Sequence, residues 1–450
     1  MSGHYDELTL QEYLDDPESF ERRRELEMHL AACRACASMF EELRAFEATL
    51  AADAVWQLAD RAAEEPPAEL RQLADLLAQE DADAATALDP LVGSPASFRR
   101  ANVTTIPSMR TAGVVRRLCA DSRAHREKQP MHALVLADAA IAIADQLPPR
   151  RYPETLVDEL RGSAWLERAN VLRYLGRYAE ATDAADIAAR AFERSPVAVY
   201  SLALVDYLRA VIAIETERVD EALRLVRKAA RVFRQFGEDE RYVHAKIVEA
   251  SVLFDQNRYR DARDLFLSLV TVARGLGDAA TLARLYGNVA NCQLRLHELE
   301  SADTYFARAL SLYEALGMET ERVRARWNIG CLRLATGDLT DGLARLRQAR
   351  REFEELGLRS DAALVTLDVA EALLATGEAA AAREAAELCG SIIESFTAVG
   401  MTGHALTALA FLKEAFASGR ATPELVRHVR QYLETRPDHS GNPFFPPRHL

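Results

Sequence analysis

The sequence has 450 residues, of which 49% are hydrophobic, and its 55 basic and 69 acidic side chains give a formal net charge of −14. A chain of this length can bury a large core, but one compact domain of this size is improbable unless it is a repeat array. Because phosphate binding requires a basic stripe, the acidic balance argues against an extended nucleic-acid or anionic membrane surface. Partners with basic surfaces are favoured instead.

Two features of the sequence predict a soluble protein of the cytoplasm. The first seven residues lack both the basic start and the apolar core of a signal peptide. The longest apolar stretch, 131–147, contains Asp138 and Asp145 and is shorter than a bilayer requires. We therefore expect no membrane-spanning segment.

A cluster of metal-binding residue types lies within the first forty residues. Cys33 and Cys36 are the only neighbouring pair among six cysteines, which argues against a disulfide framework. His29 and Cys33 stand at i and i+4 on one face of a helix, and Cys36 follows across a turn. Zinc accepts this mixed set, and a closed tetrahedral site requires a fourth ligand. His4 is the candidate; the alternative is that His4 is a solvated residue near the terminus.

The spacing of these four residues resembles that of the zinc-binding anti-sigma factor family. In both, a His is followed after 24 residues by a second His, then three residues, a Cys, two residues and a Cys. The similarity covers about the first sixty residues, including the amphipathic segment 8–14. The resemblance implies that residues 1–62 form a small helical bundle that binds zinc and sequesters a sigma factor. The ligands would be His4, His29, Cys33 and Cys36.

The predicted N-terminal domain is strongly acidic. Residues 1–50 contain five Arg and twelve Asp or Glu, a net charge of −7. Such a domain suits a basic partner such as a DNA-binding sigma region, and the alternative is a solvated acidic surface. Apolar residues at helical spacing from Met39 to Leu58 predict a helix that ends near Ala62. The face of this helix that carries Phe46, Leu50 and Trp56 is one candidate for a partner interface. The alternative is that this face packs inside the bundle or onto the repeat helices that follow.

The composition of the next segment, 63–107, predicts that it is a linker that contains one short helix. Residues 68–88 have helical character, and they follow the pair Pro66 and Pro67. Residues 90–107 are rich in Pro, Gly, Ser and Thr, which is typical of a connection with little regular structure.

A repeat of about forty residues dominates the segment 108–436. Its anchor positions are separated by 41 residues once and by 40 residues four times: Ala181, Ala222, Ala262, Ala302, Gly342 and Ala382. Twelve residues before each anchor is another small residue: Ala169, Ala210, Ala250, Ala290, Gly330 and Ala370. A period of this length indicates helical hairpins that bury their apolar faces against their neighbours. The hairpin at 113–147 is atypical. The pattern of residues 401–435 predicts an incomplete capping hairpin, and the prolines of residues 437–450 predict an irregular tail.

These units resemble tetratricopeptide repeats of the longer, forty-residue kind. The resemblance implies an all-α protein in which a right-handed solenoid of about seven hairpins follows the zinc-binding bundle. It also implies a concave groove, lined by the first helix of each hairpin, that binds a peptide or a partner helix. By register, the groove includes Arg284, Asn288, Asn291, Arg324, Asn328 and Asp368. The alternative is a hydrated groove that has no defined ligand.

The sequence favours protein binding over catalysis. It contains no Gly-rich phosphate loop, nucleophile elbow or convergent pair of acids. The first hypothesis is a regulator whose zinc domain sequesters a sigma factor while the array binds a second protein or peptide. The second is a scaffold with a purely structural zinc module and no role in transcription. In a third, Cys33 and Cys36 form a redox switch.

Overall fold

The computed structural model of the chain describes residues 4–5, 7–15, 22–50, 67–92, 103–195, 198–398, 403–434 and 444. These residues contain twenty α-helices, two short 3-10 helices and no strand, which confirms the predicted all-α class. Among the described helices, none combines the length and the apolar character that a bilayer crossing requires. The chain divides into two compact units, residues 1–245 and 246–450.

The first unit contains ten whole helices. Their bounds are α1 Glu7–Asp15, α2 Arg23–Ala32, α3 Arg34–Leu50, α4 Ala68–Val92, α5 Ala112–His125, α6 Pro130–Ala144, α7 Glu154–Tyr174, α8 Tyr178–Phe192, α9 Val199–Glu215 and α10 Val219–Gln235. The 3-10 helices are Val103–Thr105 and Pro107–Met109.

Helices α1, α2 and α3 form the predicted N-terminal bundle. Its core consists of the fully buried Leu10 and Leu26 together with Cys36, which links the bundle core directly to the metal-ligand cluster. On its surface, the Tyr13 hydroxyl donates to Glu27 at 2.9 Å. The predicted continuation of the helix to Ala62, with Trp56, lies outside the described residues, as do the side chains of Phe46 and Leu50.

Helix α4, which the sequence places in a linker, shares a hydrophobic core with α5 and α6. Its Glu80 is only 4% exposed and accepts hydrogen bonds from the Tyr152 hydroxyl at 2.7 Å and from the backbone N–H of Gly113 at 3.3 Å. Arg151 pairs with the same carboxylate at 2.6 Å. A Cβ on Gly113 would lie 2.3 Å from the Glu80 carbonyl oxygen, so the close approach of α4 and α5 requires glycine there. The domain boundaries at residues 62 and 107 stay predictions.

The second unit contains nine whole helices, and α11, Asp239–Asp255, spans the division between the units. The bounds of the others are α12 Tyr259–Leu276, α13 Ala279–Arg295, α14 Leu299–Leu316, α15 Glu319–Ala335, α16 Leu339–Glu355, α17 Arg359–Ala375, α18 Ala379–Ala398, α19 Gly403–Ala417 and α20 Pro423–Glu434. Consecutive helices pack as hairpins, as the forty-residue period predicts.

The small residues twelve positions before each anchor are all buried, as expected for points where two helices approach closely. At Gly330 on α15, a Cβ would lie 2.9 Å from the Leu346 side chain of α16. Gly330 and Leu346 belong to one repeat, so this contact is the close approach of its two helices. The register read from the sequence therefore corresponds to the packing of the hairpin.

The turn within each hairpin requires a left-handed residue. Gly337, between α15 and α16, has φ +86°, and the N–H of the next residue, Asp338, closes the helix end on the Arg333 carbonyl at 2.9 Å. Asn257 has φ +61° at the same place in its repeat, as its residue type predicts. His297 and Glu217 also adopt positive φ, at +59° and +60°, which their residue types did not predict.

We expect Gly337→Ala to lower the free energy of unfolding by about 1 kcal/mol, because a Cβ is disfavoured in the left-handed region. The matched control is Gly390→Ala, which lies inside α18, where a Cβ has no atom within 4 Å. It should stabilise the chain by about 0.5–1 kcal/mol, since alanine is the better helix former. The two midpoints of urea unfolding, followed by circular dichroism, should shift in opposite directions. Shifts of the same sign would contradict the argument.

The C-terminal pair α19 and α20 departs from the repeat pattern. Helix α20 packs against α17, the first helix of the preceding hairpin, through the buried Leu425, Val426 and Val429. Of the segment 437–450, only Phe444 is described, and its ring centroid lies 5.1 Å from that of Tyr432 on α20. The predicted capping element therefore exists as two helices.

Candidate metal centre and groove

The four predicted metal ligands converge where α2 ends and α3 begins, with His4 from the N-terminal segment. One ligand atom from each of His4, His29, Cys33 and Cys36 lies within 4.8 Å of the other three. The Nδ1 atom of His4 is 3.2 Å from the Cys33 sulfur and 3.6 Å from the Cys36 sulfur. His4 therefore lies in the cluster, although it is distant in sequence from the other three residues.

The local fold explains how the two cysteines turn towards one point. The backbone N–H of Cys33 donates to the His29 carbonyl at 2.8 Å, which closes the last turn of α2. Cys33 itself has an extended backbone, and α3 begins at the next residue. The chain thus bends between the two thiols, and Cys36 lies in the first turn of α3.

Tyr5 is a neighbour of the cluster that the sequence reasoning missed. Its ring packs edge-on against the His29 ring with centroids 4.9 Å apart, and its carbonyl lies 3.8 Å from the Cys36 sulfur. The guanidinium of Arg22 lies over the Tyr5 ring at 5.7 Å. These contacts fix the orientation of the His29 imidazole. Tyr5 follows a candidate ligand directly in sequence, and that position was the only available signal.

The two thiols have different acidities. The backbone N–H of Cys36, together with His4, lowers the pKa of the Cys33 thiol to about 6. Burial raises the pKa of the Cys36 thiol. Since metals bind thiolates, Cys33 is the ligand that is ready at neutral pH, whereas Cys36 loses its proton when a metal binds.

The donor set fits a zinc ion. The Nε2 atom of His29 is buried and has no hydrogen-bond partner among the described residues. An unsatisfied buried donor or acceptor costs about 1–3 kcal/mol, and a metal ligand bond would satisfy it. Two sulfurs and two imidazoles form a closed tetrahedral set, which is typical of structural zinc. When bound, zinc would cross-link the N-terminal segment, α2 and α3, and would leave no open coordination position for a substrate.

The predicted groove corresponds in part to a cavity of about 790 Å³ within residues 246–450. Asn291 on α13, Asn328 on α15 and Asp368 on α17 line it. Asn288 and Asn291 line a smaller cavity of about 170 Å³. Residues from the first helices of three successive hairpins therefore line one space.

The two predicted groove arginines are exposed and paired. Arg284 lies 3.5 Å from Glu321, and Arg324 donates to Asp361 at 3.1 Å. Neither residue is among those that line the large cavity. Both would have to break an ion pair before they bound a ligand carboxylate.

Asp368 is held by contacts within the chain. Its carboxylate accepts a hydrogen bond from the Trp327 indole at 2.6 Å and pairs with Arg430 of α20 at 3.0 Å. Beside it, burial, reinforced by the Asp368 charge, raises the pKa of the Cys331 thiol. Arg427 of α20 pairs with Glu371 in the same wall of the cavity. The sequence reasoning missed Trp327 of α15, and it missed the arginines of α20 because α20 lies outside the repeat register.

Two family models match the chain. Residues 9–37 match the family described as "Putative zinc-finger", and residues 248–315 match the family described as "Tetratricopeptide repeat". The chain has a zinc-finger-like segment and a tetratricopeptide repeat segment. Both were predicted from the sequence, and the zinc-finger match includes His29, Cys33 and Cys36 and begins after His4. None of the curated proteins compared with the chain matches it.

Several solved structures resemble this chain at low sequence identity. The apo form of RapI is 14% identical with a TM-score of 0.48, covering 62% of this chain and 99% of its own. Aspartyl phosphate phosphatase F from Bacillus subtilis is 13% identical with a TM-score of 0.49, covering 75% of this chain and 94% of its own. The Rap conjugation gene regulator of the plasmid pLS20, in complex with the Phr* peptide, is 14% identical with a TM-score of 0.42, covering 71% of this chain and 97% of its own. These likenesses are too remote to indicate what this chain binds.

Proposed function

We propose that the protein is a regulator that acts through protein contacts, and that its zinc-finger-like domain sequesters a sigma factor in the cytoplasm. The observation that carries this proposal is the convergence of His4, His29, Cys33 and Cys36, with the spacing found in zinc-binding anti-sigma factors. The closed donor set supports a structural zinc and not a catalytic one. The net charge of −7 in residues 1–50 suits a partner with a basic surface.

The repeat array has a separate role in this proposal. Its hairpins form a cavity large enough for several side chains, and Asn291 and Asn328 present amide groups into it from neighbouring repeats. Amide side chains both donate and accept hydrogen bonds, as an extended peptide backbone requires. We propose that a second protein or peptide binds there and modulates the hold on the sigma factor.

Affinity purification of the full-length protein from its native cells tests the sigma-factor proposal. We expect a sigma factor, identified by mass spectrometry, to copurify with the unchanged protein and not with Cys33→Ala. The matched control is Cys292→Ala, which removes a thiol that is buried in the array and remote in sequence from the metal cluster. It should retain the sigma factor. Recovery of no sigma factor with any of the three proteins would contradict the proposal.

A second candidate function is that of a scaffold whose zinc module has no role in transcription. The large cavity in residues 246–450 favours it, because this site does not involve the zinc-finger-like domain. A scaffold predicts partners that depend on Asn291 and Asn328 and are indifferent to Cys33→Ala. The double variant Asn291→Ala, Asn328→Ala should lose them, whereas Arg260→Ala on the exposed surface of α12 should keep them.

A further inference from the structure

Helix α10 carries an unusually basic face. It contains five basic and two acidic residues, and the two acids lie in its first turn. Its apolar side, including Val226 and Phe233, is buried in the array. Arg224, Arg227 and Arg231, at i, i+3 and i+7, form a row along the helix that we term the basic row. All three side chains are partly buried, whereas the side chains of an arginine row that faced only solvent would be exposed.

A residue of the zinc-finger-like domain lies on this row. Gln11 of α1 is only 3% exposed, and its side-chain amide lies against the Arg231 guanidinium. Because a guanidinium offers only donors, the amide oxygen is assigned to this side, where it accepts hydrogen bonds from both terminal nitrogens of Arg231, at 3.0 and 2.7 Å. The preceding residue, Leu10, is buried in the core of the bundle. Helix α1 thus contributes one residue to the bundle core and the next to the array.

Charge supports the same pairing. Helix α1 contains three acidic residues and no basic residue, and residues 1–50 carry a net charge of −7. The basic row has the opposite sign. Opposite surface charges steer association and select partners, and a charge-assisted hydrogen bond fixes the register of the contact.

We propose that the basic row of α10 is the docking surface for the chain's own zinc-finger-like domain, and that docking withholds this domain from other basic partners. The second half rests on the proposed function, since it presumes a basic partner. The basic row and the partner then compete for the acidic surface of this one domain. A protein that is docked for 99% of the time binds such a partner about 100-fold more weakly than the released domain does.

Hydrogen exchange of the full-length protein, measured by mass spectrometry without any partner, tests the docking. Arg231→Glu removes the donor and Gln11→Arg places two like charges together. Each change should raise the exchange rate of the peptide that covers α1 by roughly tenfold, the effect of losing a hydrogen bond to a charged group. The control Arg260→Glu makes the same charge change on an exposed residue of α12 and should leave α1 exchange unaltered.

The double variant Gln11→Arg, Arg231→Glu reverses the pairing and should restore slow exchange of α1. Zinc content and circular dichroism of each variant verify that the domain is still folded. Unchanged exchange in both single variants would overturn the proposal, and so would a double variant as fast as either single one. Because no partner is present, failure here is distinct from failure to copurify a sigma factor.

Discussion

Full-length protein with Cys36→Ser is expected to lose stoichiometric zinc and the packing of α1, α2 and α3 into a bundle. Cys36 is both a ligand in the cluster and one of the buried core residues of the bundle. The domain is small, and a structural zinc contributes about 10–16 kcal/mol of apparent binding free energy in isolated zinc modules. Without the ion, too little apolar surface remains in α1 to α3 to hold them together.

Two measurements on the same samples check this expectation. Metal analysis should give one zinc per chain for the unchanged protein and close to none for Cys36→Ser. Hydrogen exchange of residues 7–50 should approach the rate of an unfolded chain in the variant, while the repeat helices stay protected. Cys389→Ser, which alters another buried cysteine in the array, is the control and should keep its zinc. A Cys36→Ser protein with full zinc content would contradict the assignment.

The variant His4→Ala tests whether His4 is the fourth zinc ligand. If His4 completes the tetrahedron, the variant should bind zinc more weakly and release it faster to a chromogenic chelator, because three ligands remain. The control is His297→Ala, which changes an exposed histidine in a turn of the array. Identical release from the unchanged protein and from His4→Ala would assign His4 to the solvated alternative.

Phe306→Ala is expected to produce the largest loss of stability within the array, about 3–5 kcal/mol. Its side chain is fully buried among Ala290, Ala302, Ile329 and Leu332. These residues come from three successive helices, α13, α14 and α15, the last of which belongs to the next repeat. The cavity left by the phenyl ring therefore weakens two helix contacts at once. In an array whose units contact only their neighbours, such a loss spreads to the adjoining repeats.

Leu316→Ala is the matched control, because Leu316 lies on the same helix and its side chain is 44% exposed. Its effect should stay within about 0.5 kcal/mol, as for most surface substitutions. Urea unfolding of the two variants measures the difference, and hydrogen exchange locates it. If exchange of α13 to α15 rises no more in Phe306→Ala than in Leu316→Ala, the core assigned to this repeat is wrong.

The features that the sequence predicted well depend on contacts between residues that are close in the chain or one repeat apart. The forty-residue spacing of small residues identified where helices approach, because a helical hairpin brings the same two positions together in every unit. Gly337 and Asn257 marked turns because their residue types tolerate positive φ. His29, Cys33 and Cys36 came together because they are close in the chain, at the last turn of α2, the bend at Cys33 and the first turn of α3.

Contacts between elements that no period relates were decided by the tertiary structure alone. The packing of α20 on α17, which engages Asp368 with Arg430, and the contact of Gln11 with Arg231 join residues that are 62 and 220 positions apart. The packing of Tyr5 on His29 and of α4 on α5 likewise belongs to no repeat. A contact made once leaves no repeated pattern in the sequence. Its position follows from how whole faces of folded helices fit together, and the spacing of residues along the chain does not encode that fit.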